Sequence, residues 1–413
     1  MGNGFIEQGF FTSSYNNLLG LWPAGIPLIH SALIFFGGLD IKPIPIFYFS
    51  LISIWAFIFT TFFFNTLRYK NNAGKLIIVL LFFYLIQSDL FSLFFLRQSV
   101  ILSEGISTPA FILSLYYLFN IYNGKNNLFL ALFFILISSF TRATSDLFVS
   151  LLSFFYILYL IPNIIKSPLF MNYQSQTLVE ILKFIFANGR IFLFLFLYFL
   201  ITSPYKLVMN QNIGEFSLVT KNFNFSHAWM PDHYLDREGG GFVIHGGGNV
   251  ACLIDEVQCK IIYEEEMLKD NPYSNYKYLR DQYFLLIIEN PINWISLKVK
   301  YFIKYWLATP PDVASVSKSK YENLITLIII LSILFSILRF LYLYNLKKLY
   351  KFRGEDTFLF TVLPLAVLIT FILPQFLIHF EARYFYPIKI YLFFLFPLFL
   401  FHQKLIEEKL ERL

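Results

Sequence analysis

The 413-residue sequence predicts an all-α polytopic membrane protein with about nine transmembrane helices, an outer surface helix and one extracytoplasmic α-rich domain. Three observations carry that prediction. Of the residues, 57% are hydrophobic, 21% aromatic and only 14% charged, whereas a soluble domain carries roughly 25% charged residues. That composition excludes an ordinary cytosolic enzyme, a disordered chain and a nucleic-acid binder. Apolar runs recur along the chain at close to the ~20 residues that a bilayer-crossing helix needs. The basic residues, finally, divide unevenly between alternate loops, as they do on the two sides of a membrane.

The N-terminal segment, 1–43, shows no basic cluster followed by an apolar core and a small-residue site, so no cleavable signal peptide is expected. Its run 26–38 stops at Gly37-Gly38, short for a span, and suits a helix lying on the membrane surface. A bundle at 44–203 follows, with spans at 44–66, 75–91, 99–120, 127–141, 146–161 and 184–203. Segment 204–322 is the one long hydrophilic stretch and reads as the extracytoplasmic domain. Segment 323–413 closes the chain with spans at 323–344, 357–378 and 385–402.

Loop charge orients this layout. The segments 67–75, 120–126, 162–190, 345–356 and 403–413 hold 14 Lys and Arg residues. The opposite short segments hold four: Lys42, Arg97, Arg142 and Arg383. The first set belongs in the cytoplasm, so the N-terminus and 204–322 face outward in a plasma or inner membrane. The net charge of +6 is thus a topology signal rather than a polyanion-binding patch.

The 204–322 stretch holds 26 of the 58 charged residues and two Gly triplets, 239–241 and 246–248, read as turns. Within it, 283–307 alternates apolar and basic residues at helical spacing, which suits an amphipathic helix resting on the bilayer. Cys252 and Cys259, the only cysteines, permit one local bridge in an oxidising compartment and equally a pair of idle thiols.

Charged groups at the ends of apolar helices are costly and mark candidate sites. Three outer turns each pair a base with an acid: Arg97 with Glu104, Arg142 with Asp146, and Arg383 with Glu381, beside His379 and Tyr384. Arg forks suit phosphate oxygens, and a carboxylate nearby could take a proton from an attacking hydroxyl. The ordinary alternative is that such residues snorkel or pair to hold loops together. In the outer domain His227, Asp232 and His233 have ligand-type side chains, but nothing in their spacing requires a metal. The chain has no phosphate-binding Gly-rich loop, no His-Glu-x-x-His, no Cys-x-x-Cys and no Gly-x-Ser-x-Gly.

Several segments resemble one family. Leu21-Trp22-Pro23-Ala24-Gly25-Ile26-Pro27-Leu28, with Phe36-Gly37-Gly38 after it, resembles the "P-P-G-Y-P … L-F-G" segment of membrane glycosyltransferases with the GT-C fold. These are the relatives of protein mannosyltransferases and of enzymes that add lipid-carried sugars to lipid A, lipopolysaccharide core or teichoic acids. Glu381-Ala382-Arg383-Tyr384 with Pro387 resembles their late E-x-R-Y…P turn. Glu104 and Arg142 stand where relatives carry an acidic and a basic residue. Glu289-Asn290-Pro291 resembles the start of their amphipathic helix. The chain departs from the family at its beginning. Members usually open with a transmembrane helix and an outer loop whose Asp or Asp-Glu serves as the catalytic base, whereas Glu7 is the one carboxylate before Pro23. A start further upstream is the preferred reading, ahead of a decayed copy or of Glu7 as substitute.

The resemblance implies transfer of a sugar from a polyprenyl-phosphate donor to a lipid, glycan or protein acceptor on the outer face. Arg97, Arg142, Arg383 and Tyr384 would hold the donor phosphate. Glu104 and Glu381 would be the catalytic carboxylates, and His379, His227 and Asp232 would face the acceptor or sugar. No cofactor and no metal ligand set is expected, with a divalent cation left open. Membrane lipids are expected partners and nucleic acid is not. The competing readings are a flippase or transporter of lipid-linked glycans, whose folds often show internal repeats not seen in this sequence, and a polysaccharide polymerase.

Overall fold

A computed structural model describes residues 43–68, 72–88, 91, 103–121, 126–142, 144–165, 189–218, 229, 250–267, 272–307, 316–345, 354–377, 387–398 and 400. Among them are thirteen α-helices and no strand. In chain order they are α1 (Pro43–Arg68), α2 (Asn72–Gln87), α3 (Ser103–Phe119), α4 (Asn127–Thr141), α5 (Thr144–Ile165) and α6 (Arg190–Ile213). The short α7 (Val250–Ile254) precedes α8 (Glu256–Met267), α9 (Pro272–Glu289) and α10 (Pro291–Leu307). Last come α11 (Val316–Asn345), α12 (Gly354–Leu377) and α13 (Pro387–Leu398).

α1 to α6 and α11 to α13 share one apolar core. Aromatic edges stitch it together. Phe111 of α3 meets Phe148 of α5, Phe371 of α12 and Tyr391 of α13, with ring centroids 5.0, 5.1 and 5.0 Å away. Phe394 of α13 lies 5.0 Å from Phe62 of α1 and 5.4 Å from Phe82 of α2. Each well-oriented aromatic pair adds about 0.5–1.5 kcal/mol beyond its buried area.

The outward faces of these helices are apolar as well. On α2, Leu76, Leu80 and Phe83 are exposed while Ile78, Phe82 and Leu85 are buried. On α11, Leu324, Ile328, Leu331, Phe335 and Leu338 are exposed at helical spacing, opposite buried Ile329, Ile333 and Ile337. A helix at a water surface would be polar on its outward side. Of the described helices, the stretch Arg190–Gln211 of α6 is long and apolar enough to cross a membrane, and eight others contain apolar stretches of 10–17 residues.

Hydrogen bonds between helices fix which ends lie together. At one end Arg190, opening α6, donates to the Ile121 carbonyl after α3, and Asn65 of α1 donates to the Tyr116 hydroxyl of α3. At the other end Tyr391, one turn into α13, donates to Thr108, near the start of α3. Lys389 reaches Asn323 of α11 and the Trp306 carbonyl of α10. The second, smaller core lies at this end. Trp229, Cys259, Leu279, Tyr283 and Trp294 form it, and Phe376 of α12 packs against it.

Two boundaries differ from the sequence expectation. The helix expected to stop at 203 runs on to Ile213, carrying Pro204 and Lys206 inside it. Lys206 is buried there and ion-paired, so its charge does not end the helix. α6 closes at Gly214, whose left-handed backbone (φ 72°, ψ 15°) lets its N–H return to the Asn210 carbonyl. The amphipathic stretch 283–307 is two helices, broken at Asn290-Pro291, because proline disfavours helical backbone in the residue before it. Of the two readings of the cysteines, the structure has the bridge: Cys252 of α7 is bonded to Cys259 of α8.

Candidate functional site

Two of the sequence-predicted site residues fall among the described ones. Arg142 follows α4 directly in the short connection to α5. Its N–H donates to the Ser138 carbonyl at 2.8 Å, and its carbonyl accepts from the Ser145 N–H at 3.2 Å. Its backbone is extended (φ −152°, ψ 121°), which ends α4 in a single residue. The guanidinium is half-buried, with Nε donating to Thr144 Oγ1 at 3.3 Å. Glu104 is the second residue of α3. Arg97, Glu381, Arg383, Tyr384, His379, His227 and Asp232 lie outside the described residues.

The start of α3 meets the turn that Arg142 makes. Ser138 Oγ lies 2.8 Å from the Ser107 carbonyl, one turn after Ser103-Glu104, and 2.7 Å from Ser145 Oγ. These hydroxyls are buried. Small side chains let the helix ends approach closely, and the Ser138 hydroxyl donates across the contact to the Ser107 carbonyl.

Asp146, in the first turn of α5 where the helix dipole favours a carboxylate, is the centre of the cluster. Its Oδ1 accepts from the Tyr198 hydroxyl at 2.8 Å and from Lys206 Nζ at 2.6 Å, both on α6. The Lys206 and Asp146 side chains are 3% and 5% exposed. Lys206 Nζ also lies 5.3–6.0 Å from the ring centres of Tyr198, Phe199 and Phe216, within cation–π range. Sequence reasoning paired Asp146 with Arg142 but missed Tyr198 and Lys206. The signal was present: Tyr198, Thr202 and Lys206 recur every four residues and so form one polar stripe on an apolar helix.

At this end, the second core docks through aromatic groups with polar tips. Tyr283 donates to the Leu377 carbonyl, the last residue of α12, at 2.9 Å, and accepts from Trp294 Nε1 at 2.9 Å. Trp229 Nε1 donates to the Leu279 carbonyl at 2.9 Å. Lys298 is fully buried 6.0 Å from the Tyr283 ring centre and 5.8 Å from that of Trp294. Burial lowers its ammonium from 10.5 to about 7 and raises the Tyr283 phenol. Among the described residues no three His, Cys, Asp or Glu side chains gather as a metal site.

One end of the helical core thus gathers a guanidinium, a carboxylate, an ammonium, a phenol and several hydroxyls from α3, α4, α5 and α6. No family model, no curated protein and no solved structure matches the chain.

Proposed function

We propose that this chain is an integral membrane glycosyltransferase of the GT-C type, moving a sugar from a polyprenyl-phosphate donor to an acceptor hydroxyl on the extracytoplasmic face. The observation that carries the reading is the convergence just described. An apolar bundle buries an ion pair beside Arg142 at one end, under a separate outer unit, where a lipid-borne phosphate and a hydroxyl could meet. The proposed layout of nine spans draws support from the apolar outward faces of α2 and α11, which suit lipid rather than water. It also draws support from Arg68, Asn72, Asn127 and Arg190, which open or close their helices at the end away from the cluster.

In this reading Arg142, with Arg97, Arg383 and Tyr384, holds the donor phosphate and stabilises the charge that grows on it as the sugar leaves. Glu104 and Glu381 orient the acceptor or the arginines, and His379, His227 and Asp232 face the sugar or acceptor. The test uses the purified chain in lipid vesicles with polyprenyl-phosphate sugars. Arg142→Ala and Arg383→Ala are expected to lose transfer by about a hundredfold or more while inserting normally. Full turnover by either variant would overturn its assignment. Movement of the carrier lipid without sugar product would assign a flippase instead.

A further inference from the structure

With Glu104 and Glu381 assigned to orientation, the proton of the acceptor hydroxyl has no destination, and the structure supplies partners for Asp146, one of the three outer-turn acids. Among the described residues Asp146 is the only buried acid, and its surroundings go beyond those of an ordinary helix-start carboxylate. Tyr198 and Lys206 reach it from another helix, 52 and 60 residues on. Burying an ion pair seldom gains stability over apolar side chains of similar volume, so the pair needs another explanation.

Its geometry offers one. Both donors converge on Oδ1, at 2.8 and 2.6 Å. Oδ2 accepts no hydrogen bond among the described residues. One oxygen anchors the carboxylate, while the other is left to accept. The residue as a whole is 4% exposed, so bulk water is held away from a group that would otherwise favour hydrolysis of the donor. Arg142, assigned to the phosphate, is four residues earlier in the connection that opens α5. A phosphate-binding group and a proton acceptor are therefore presented by one turn.

We propose that Asp146 is the catalytic proton acceptor of this site, with Lys206 and Tyr198 as positioning residues that hold its Oδ1. The acceptor oxygen attacks the anomeric carbon with its lone pair, forming the new C–O bond. Its proton passes to Asp146 Oδ2. The bond from the anomeric carbon to the phosphate oxygen breaks with its electron pair going to that oxygen, which leaves as polyprenyl phosphate. Asp146 then returns the proton to water. This assignment rests on the transferase reading above.

The experiment uses the full chain in phosphatidylethanolamine–phosphatidylglycerol vesicles. Undecaprenyl-phosphate-linked hexoses, pentoses and amino sugars, tritiated in the sugar, are supplied with glycolipid, oligosaccharide and peptide acceptors in separate reactions. Asp146→Asn is expected to lower kcat by about a hundredfold or more, the usual scale of acid–base catalysis, with the donor KM little changed. Added formate is expected to restore part of the rate to Asp146→Ala, which a purely structural role would not allow. Because a lone Lys206 could unfold the single variants, the pair Asp146→Asn with Lys206→Met removes both charges at nearly constant volume and is expected to fold but remain inactive. If wild type transfers sugar and a folded Asp146→Asn or double variant does so within a few fold, Asp146 is not the acceptor and the transferase reading stands. If wild type transfers none of the donor sugars, the transferase reading falls and this assignment with it.

Discussion

A single side chain in this molecule can be strongly conditioned by what is packed around it, and Lys298 is the clearest case. Its ammonium is lowered from 10.5 to about 7 by burial. A base whose folded pKa is depressed contributes stability that is present above the unfolded value of 10.5 and lost as pH falls through about 7. The docking of α10 should therefore tighten between pH 7 and 10.5. Lys298→Met should remove that dependence and raise the melting temperature most at the lower pH, as read by thermal unfolding in detergent at several pH values. Gly214 gives a second residue-scale prediction. Its φ of 72° is left-handed, and no atom lies within 4 Å of a built Cβ, so Gly214→Ala should cost only the backbone penalty, about 1–2 kcal/mol, measurable as a lowered midpoint. Neither residue stood out in the sequence. Lys298 looked like one of several interfacial lysines with Lys300 and Lys304, because a lysine's burial depends on which face its helix turns to a partner, and that partner is remote in the chain. Arg142 and Asp146 were legible because a basic and an acidic residue break an apolar run within five positions.

At the scale of elements, sequence limits held where polar residues bracket an apolar run on both sides. The apolar run 127–141 is reproduced as helix α4, closed by Arg142. They failed at α6, where Pro204 and Lys206 mimic a helix end. The charge is neutralised inside the bundle, and the proline is accommodated at the cost of one main-chain hydrogen bond. They failed again between α9 and α10, where helical periodicity continues across the Asn290-Pro291 break. Asn290 ends one helix by donating its N–H to Leu286 and starts the next by accepting from Trp294. The junction is stiffened by Trp294, which hydrogen-bonds Tyr283 and meets Phe376 edge-on at 5.8 Å. Trp294→Ala should cost about 3–5 kcal/mol and free α10 from α12. Limited proteolysis near Asn290 would report it, and unchanged resistance would show that α10 docks without this contact.

For the whole molecule, the all-helical class was legible from composition and run length, since long apolar runs without β alternation leave few other folds. The pairing of α5 with α6 through Asp146 and Lys206 was not, because complementarity at 60 residues' separation leaves no local mark. Sidedness is the property on which the proposed membrane arrangement is most exposed. The Cys252–Cys259 bond suits an oxidising compartment, in agreement with an outward-facing 204–322. With both native cysteines bridged, Lys277→Cys should react with a membrane-impermeant maleimide on sealed cells. Asn72→Cys should react only after permeabilisation. Labelling in the opposite order would invert the topology and place the Asp146 cluster in the cytoplasm.

The Asp146–Lys206 pair also has a consequence for how the chain is made. In the proposed bilayer arrangement the acid leaves the ribosome 60 residues before its counter-ion, a gap of several seconds at roughly 5–20 residues per second. During that interval α5 has no ammonium beside it, and α6 later arrives with a lysine of its own near its outer end. Each helix is a poorer membrane entrant alone than together. Biogenesis of this bundle should thus depend on α5 waiting at the insertion site until α6 joins it, a dependence that exchanging the two charges between helices would preserve and that removing either one would expose.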